Sequence, residues 1–173
     1  MKIIEALKGL KELKRKAEDL RDKVSRHSAY KSTETAVYGT KEDQTKQIKE
    51  WLQSHSDLVK EIERLTLCIH KTNLETQVTI RLGDKDVTKP IAAWIIRRTE
   101  LATMEARAWH GLTDRHLSEG METNSAGEKI QVSIVRCYEP KERDNKVMLY
   151  TSEPAEINSK LEVINAVTDL IEK

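Results

Sequence analysis

Apolar residues recur at three-four spacing through most of the chain, and each such run marks a helix. Ile3, Ala6, Leu10, Leu13, Ala17, Leu20 and Val24 form the first, with Lys, Arg, Glu and Asp between them, which predicts an amphipathic helix over residues 2–26 with a coiled-coil seam. Gly9 inside it lowers helix propensity by about 1 kcal/mol, so packing must hold that turn. From His27 to Thr40 the pattern dissolves into Ser, Thr, Tyr and Gly, a connector able to reverse the chain and to carry a short extended piece at Thr35 to Tyr38. Behind a cap at Thr40 or Asp43 the repeat returns in Ile48, Trp51, His55, Leu58, Ile62, Leu65 and Ile69, and predicts a second helix to about Thr72. Two long helices of matching period joined by a polar loop predict an antiparallel hairpin. His55 on its seam reads as a histidine hydrogen-bonded within the bundle, with ligand binding or pH sensing as the alternative.

After the hairpin the period changes. Val78, Ile80 and Leu82 alternate with polar residues, Gly83-Asp84-Lys85 is a turn signal, and Asp86-Val87-Thr88 returns as a short strand. Thr88 before Lys89-Pro90 caps a third helix, which runs to about Asp114. Ser118 to Glu128 reads as an exposed loop, Lys129 to Tyr138 as a strand, Glu139 to Lys146 as a charged turn and Val147 to Tyr150 as a second strand. Ser152-Glu153-Pro154 then opens a last helix whose buried face is Ile157, Leu161, Ile164, Val167 and Ile171. The expected class is mainly α with a minor α+β part: a long antiparallel helical hairpin, further helices and short β-hairpin elements. We expect a single elongated domain over 1–173, organised as the hairpin (1–76), the β-hairpin with an Arg-rich helix (77–116), and a loop, strands and C-terminal helix (117–173).

The stretch from Lys89 to His116 is the one helix whose apolar face is interrupted by charge. Ile91, Trp94, Leu101, Ala108 and Leu112 fall on a stripe that Ile95, Ala102 and Trp109 widen, but Arg98 and Glu105 sit on that stripe a heptad apart, with Arg97, Arg107 and His110 on neighbouring faces. A bare charge in a helix interface costs several kcal/mol unless it is paired or faces a polar cavity, so these residues require a partner that the local sequence does not supply.

Composition narrows the classes. Charged residues are 34% against 38% hydrophobic, there is no Phe, and Gly and Pro are few, which suits long exposed helices that complete their core by association. The net charge of +1 favours neither sequence-specific nucleic-acid binding nor an anionic membrane. Charge is uneven, with a basic first helix and an acidic last segment, a pattern of solvated faces that pair between helices or subunits. Cys68 and Cys137 belong to no metal or redox spacing and read as small core residues in a reducing compartment. Nothing approaches an apolar span, and the charged start is no export signal, so the expectation is a cytoplasmic protein. No Ser has a nucleophile context, no His pair has metal-ligand spacing, and no Gly-rich phosphate loop is present. His110 and His116, six apart near a helix end, fall on different faces. We therefore expect no enzymatic activity, no metal and no cofactor.

Ile69-His70-Lys71-Thr72-Asn73-Leu74-Glu75-Thr76, at the end of a long helix and followed by a strand, a turn and an Arg-rich helix, resembles the septicolysin-annotated family of small bacterial proteins. The opening Ile4-Glu5-Ala6-Leu7-Lys8-Gly9-Leu10-Lys11-Glu12-Leu13 is similar too, and Thr72-Asn73 is the sharpest motif; the family pattern has Asn where this chain has His70. The resemblance implies a long helical hairpin with small β elements, assembled as an oligomer, of uncharacterised function. The segments Tyr138 to Asp144 and Leu161 to Leu170 also look like proteins carried by phages and prophages.

Three functions follow. In the first, the protein is a non-enzymatic homo-oligomer that sequesters a small anionic, nucleotide-like ligand in pockets between subunits. Arg97 and Arg98 would offer guanidinium forks, Trp94 and Trp109 stacking faces, and Glu105, Thr72 and Asn73 would complete the lining. A phage origin would make a host defence signal the natural target. Against this stands the plain alternative of an internal Arg–Glu network with Trp in the core. In the second, assembly itself is the function, as a virion accessory or scaffold. The third is the pore-forming activity in the family label, for which these residues supply no membrane-inserting segment.

Overall fold

A computed structural model describes residues 1–172; Lys173, the last position of the expected domain, lies outside them. The protein is mainly helical, with long α1 (Ile3–His27) and α2 (Lys41–Glu75) and two small β-hairpins. Its contacts fall into two compact units, residues 1–76 with 162–172 and residues 77–161. Helix α5 (Pro140–Val167) contributes to both, so no linker composition betrays the division.

In the first unit α1 and α2 run antiparallel: Gln44 meets the end of α1, while Leu65 lies beside Gly9. Gln44 is buried because it does two jobs. Its Nε2 donates to the His27 carbonyl (2.7 Å), one of the carbonyls a helix end leaves orphaned, and its Oε1 accepts from the Val37 amide (2.8 Å). The connector is tied down in this way without the extended piece expected at Thr35 to Tyr38. Beside it Tyr38 meets His27 and Trp51 edge to face and His27 meets Trp51 at a tilt, with ring centroids 5.2–5.7 Å apart. Thr40 caps α2: its hydroxyl accepts from the Asp43 amide and Asp43 accepts from the Thr40 amide, a reciprocal box that holds the Asp43 carboxyl below its ordinary pKa.

The other end of the hairpin is closed by the chain termini. Lys2 bridges Asp169 by an ion pair of 2.9 Å, the Ile3 amide donates to Thr168, and the Leu170 amide donates to Met1. Here Ala6, Leu65, Cys68, Ile69 and Leu170 form a core on which Leu10 and Leu13 pack. Away from that base only Ala17 and Gln44 of the two helices are buried. Leu20 and Val24 of α1, and Ile48, Trp51, His55, Leu58 and Ile62 of α2, are only half-buried although the sequence placed them on the seam. A separate face of α2 exposes Leu52, Val59, Leu67 and Leu74.

In the second unit β1 (Gln77–Leu82) pairs antiparallel with β2 (Lys85–Pro90) through a two-residue turn whose Gly83, at φ +57°, occupies the position such turns reserve for glycine. Lys89 and Pro90 therefore end a strand instead of starting a helix. The third helix begins at Ile91 and stops at His110, short of Asp114. Met121 and its neighbours form β3 (Gly120–Thr123) against β4 (Lys129–Val132), inside what reads as a loop; the expected strand to Tyr138 ends at Val132. Cys137, expected in the core, is exposed on that irregular stretch.

The largest departure is α5. The run Val147 to Tyr150, expected as a strand, and the charged turn before it are both helical, starting at Pro140 in the first-turn position that tolerates its missing N–H. The side chain of Glu139 accepts from the Lys141 amide at that start. Pro154 lies inside the helix, not at its beginning, and Ile171 lies beyond its end. Extended backward, the buried face of Ile157 and Leu161 passes through Glu153, Tyr150 and Val147 at three-four spacing, and the charge on that stripe hid the continuity.

Gly9 yields a direct test. A Cβ built there meets Leu65 Cδ2 at 3.8 Å, an ordinary contact. Gly9→Ala should therefore raise stability by about 1 kcal/mol through helix propensity, read as a higher urea midpoint. A lower midpoint would mean that the α1–α2 packing described here is wrong.

Candidate functional site

The third helix is built from α3 (Ile91–Ile96), a π turn (Arg97–Leu101) and α4 (Ala102–His110). In the π turn the Ala102 amide reaches back five residues to the Arg97 carbonyl, and Thr99 Oγ1 donates to the Ile95 carbonyl at 2.9 Å, satisfying an acceptor that the widened turn disturbs. A π turn inserts one residue into the helical count, so everything before it is rotated against everything after it. That phase shift decides which arginine is internal.

Arg97 is the internal one. Its Nε donates to Glu153 Oε2 at 2.7 Å, with Nη1 3.8 Å from Glu105 Oε1 and the guanidinium 5.4 Å from the centre of the Tyr150 ring. The Arg97 and Glu153 side chains are 15% and 4% exposed, and the hydrogen bond to Glu153 raises the Arg97 pKa against the opposing effect of burial, so the arginine stays charged. Uninterrupted helical counting paired Arg98 with Glu105 on the stripe; the structure pairs Arg97 with it instead, with Glu153 as the partner the local sequence lacked. A backward reading of the α5 stripe contains the signal for Glu153, since it is the one charge on that face.

Arg98, half-buried, donates from Nη1 to Asn158 Oδ1 at 2.7 Å. Its helix exposes Ile96, Leu101 and Met104 nearby in sequence. Trp94 belongs to the core: it is fully buried, its Nε1 donates to the Val78 carbonyl at 3.0 Å, and the Lys89 ammonium lies 5.4 Å from its ring centre. Trp109 is half-buried.

Thr72 and Asn73 belong to the first unit. Thr72 is fully buried, donating to the Cys68 carbonyl (2.8 Å) and accepting from the Ile171 amide (2.9 Å), so it fastens the C-terminal tail to α2. The Asn73 side-chain oxygen is buried with no hydrogen-bond partner, an acceptor left open.

A second group of side chains, absent from the sequence reading as a group, lies where α4 ends. The Gly111 amide bonds to the carbonyls of Arg107 and Ala108, Leu112 bonds to Trp109, and a turn from Asp114 to Leu117 follows. Because the helix stops at His110, His110 and His116 do not lie on different faces of one helix: both line one cleft of about 550 Å³ with Arg115, Arg143 and Asp144. No group of three or more His, Cys, Asp or Glu that could hold a metal occurs among the described residues. No helix among them is long and apolar enough to cross a membrane.

The Arg97–Glu153 pair has a testable energetic signature. Arg97→Met leaves a buried carboxylate unpaired and should cost about 3–5 kcal/mol, whereas Arg97→Met with Glu153→Leu should recover most of that loss, because two apolar residues can replace a buried ion pair. Urea unfolding of both variants reads this; an unchanged midpoint for the single variant would contradict the pairing.

No family model matches the chain, and no curated protein or solved structure resembles it closely enough to count as a match.

Proposed function

We propose that the protein is a non-enzymatic homo-oligomeric binding protein that sequesters a small anionic, nucleotide-like ligand in pockets between its subunits. The observation that carries this reading is the contrast between two adjacent arginines: Arg97 is neutralised inside the fold, while Arg98 has one hydrogen bond to a neutral amide and no ion pair described. A guanidinium with no carboxylate partner and with donor positions to spare is suited to phosphate or carboxylate. The exposed Ile96, Leu101 and Met104 give the same helix an apolar surface against which a second subunit, or the body of a ligand, can pack. The half-buried seam of the hairpin supports self-association on separate grounds, since two helices alone bury too little to hold a long arm rigid.

The second reading, a scaffolding protein whose assembly is its function, is favoured by the α2 face of Leu52, Val59, Leu67 and Leu74, which is apolar and exposed. The two separate by ligand binding. Titration with nucleoside phosphates and cyclic dinucleotides, followed by calorimetry, should find a ligand for the sequestering protein. Arg98→Ala should weaken it at least tenfold, about 1.5–3 kcal/mol for a charged hydrogen bond, while light scattering returns an unchanged oligomer mass. If no compound binds and Arg98→Ala dissociates or unfolds the protein, Arg98 is structural and the scaffold reading stands.

A further inference from the structure

The cleft at the end of α4 holds more positive charge than its own acids cancel. Arg143 is fully engaged: Nη1 donates to the Leu112 carbonyl (3.1 Å) and Tyr138 hydroxyl (3.4 Å), Nε and Nη2 meet Asp144 at 2.8 and 2.7 Å, and the guanidinium lies 5.5 Å from the Tyr138 ring centre. The neighbouring acid, Asp114, is taken by Arg136 at 2.6 Å. Arg115 has no ion pair described: its amide donates to Thr113 Oγ1 (3.3 Å), and it lines the cleft together with His110 and His116. Leu112 and Val147 supply apolar wall, and Asp144, held by Arg143, retains carboxylate lone pairs. The volume, about 550 Å³, suits a small molecule.

We propose that this cleft is a binding site for a small phosphate monoester with a hydroxylated body: Arg115, His110 and His116 take the phosphate, Asp144 accepts from a hydroxyl, and Leu112 and Val147 pack on the remainder. Arg143 acts as the positioning residue. It ties the chain after α4 to the first turns of α5 and so fixes both the Leu112 wall and the Asp144 carboxylate. All the lining comes from one chain, so the site needs no second subunit and is independent of the Arg98 reading.

The test uses the full-length protein, isotope-labelled, with adenosine monophosphate, adenosine and inorganic phosphate as probes, read by amide chemical shifts. The monophosphate should shift residues 110–116 and 143–147 in a saturable way, adenosine should not, and inorganic phosphate should shift the same amides at higher concentration. Arg115→Ala should weaken the monophosphate at least tenfold with the remaining spectrum intact, and Arg115→Lys should recover part of that loss. Arg98→Ala should leave these shifts unchanged, which separates failure here from failure of the Arg98 site. Absence of saturable shifts at millimolar monophosphate, equal binding of adenosine, shifts confined to residues 96–105, or full binding by Arg115→Ala would each overturn the proposal.

Discussion

A carboxylate cannot stay charged in an apolar interface without a partner, and Glu153 is such a carboxylate, 4% exposed on the buried face of α5. Much of the second unit follows from satisfying it. The guanidinium that does so must come from the third helix at a point where an unbroken α-helical register places Arg98 instead. The π turn supplies the correction, bringing Arg97 onto Glu153 and Glu105 while Arg98 moves aside to Asn158. One inserted residue therefore divides two chemically identical side chains, one held between two carboxylates and one bonded to a neutral amide.

A different constraint governs the first unit. Two helices of this length share one narrow seam, and apart from Ala17 its apolar residues are fully buried only where a third element arrives. That element is the tail after α5, held by Lys2, Thr72 and the backbone of Met1 and Ile3. Toward the connector, Gln44 and the His27–Tyr38–Trp51 cluster replace a hydrophobic core with hydrogen bonds and ring contacts. The half-exposed seam between these ends is the surface that self-association would cover.

Much of this was legible in the residues. The three-four repeats located α1 and α2 closely, and the Gly83-Asp84 turn located the first β-hairpin, because amphipathic period and turn chemistry are local signals. The α5 helix was not legible over its first half: Val147 to Tyr150 has strand-like composition, Pro154 resembles a start, and Glu153 breaks the apolar stripe. All three are overridden by packing of one continuous face, which is tertiary information. The charged interruption in the third helix was visible, and so was its need for a partner. Its pairing was not, because the phase shift of a π turn leaves no mark in a one-dimensional pattern. The cleft of His110, Arg115 and His116 was not legible because helical periodicity continues in the residues past His110, where the helix stops.

The proposed sequestering function joins these observations: a half-buried helical seam, a third helix whose Arg98 carries no described ion pair, and exposed apolar residues on that helix. Native mass spectrometry of protein purified rapidly from cells measures assembly and occupancy in one spectrum. A closed oligomer carrying a few hundred daltons of additional mass per site, lost in Arg98→Ala without a change in subunit number, is the expected result. A monomer, or an oligomer that carries no added mass even after incubation with nucleotides, would contradict it.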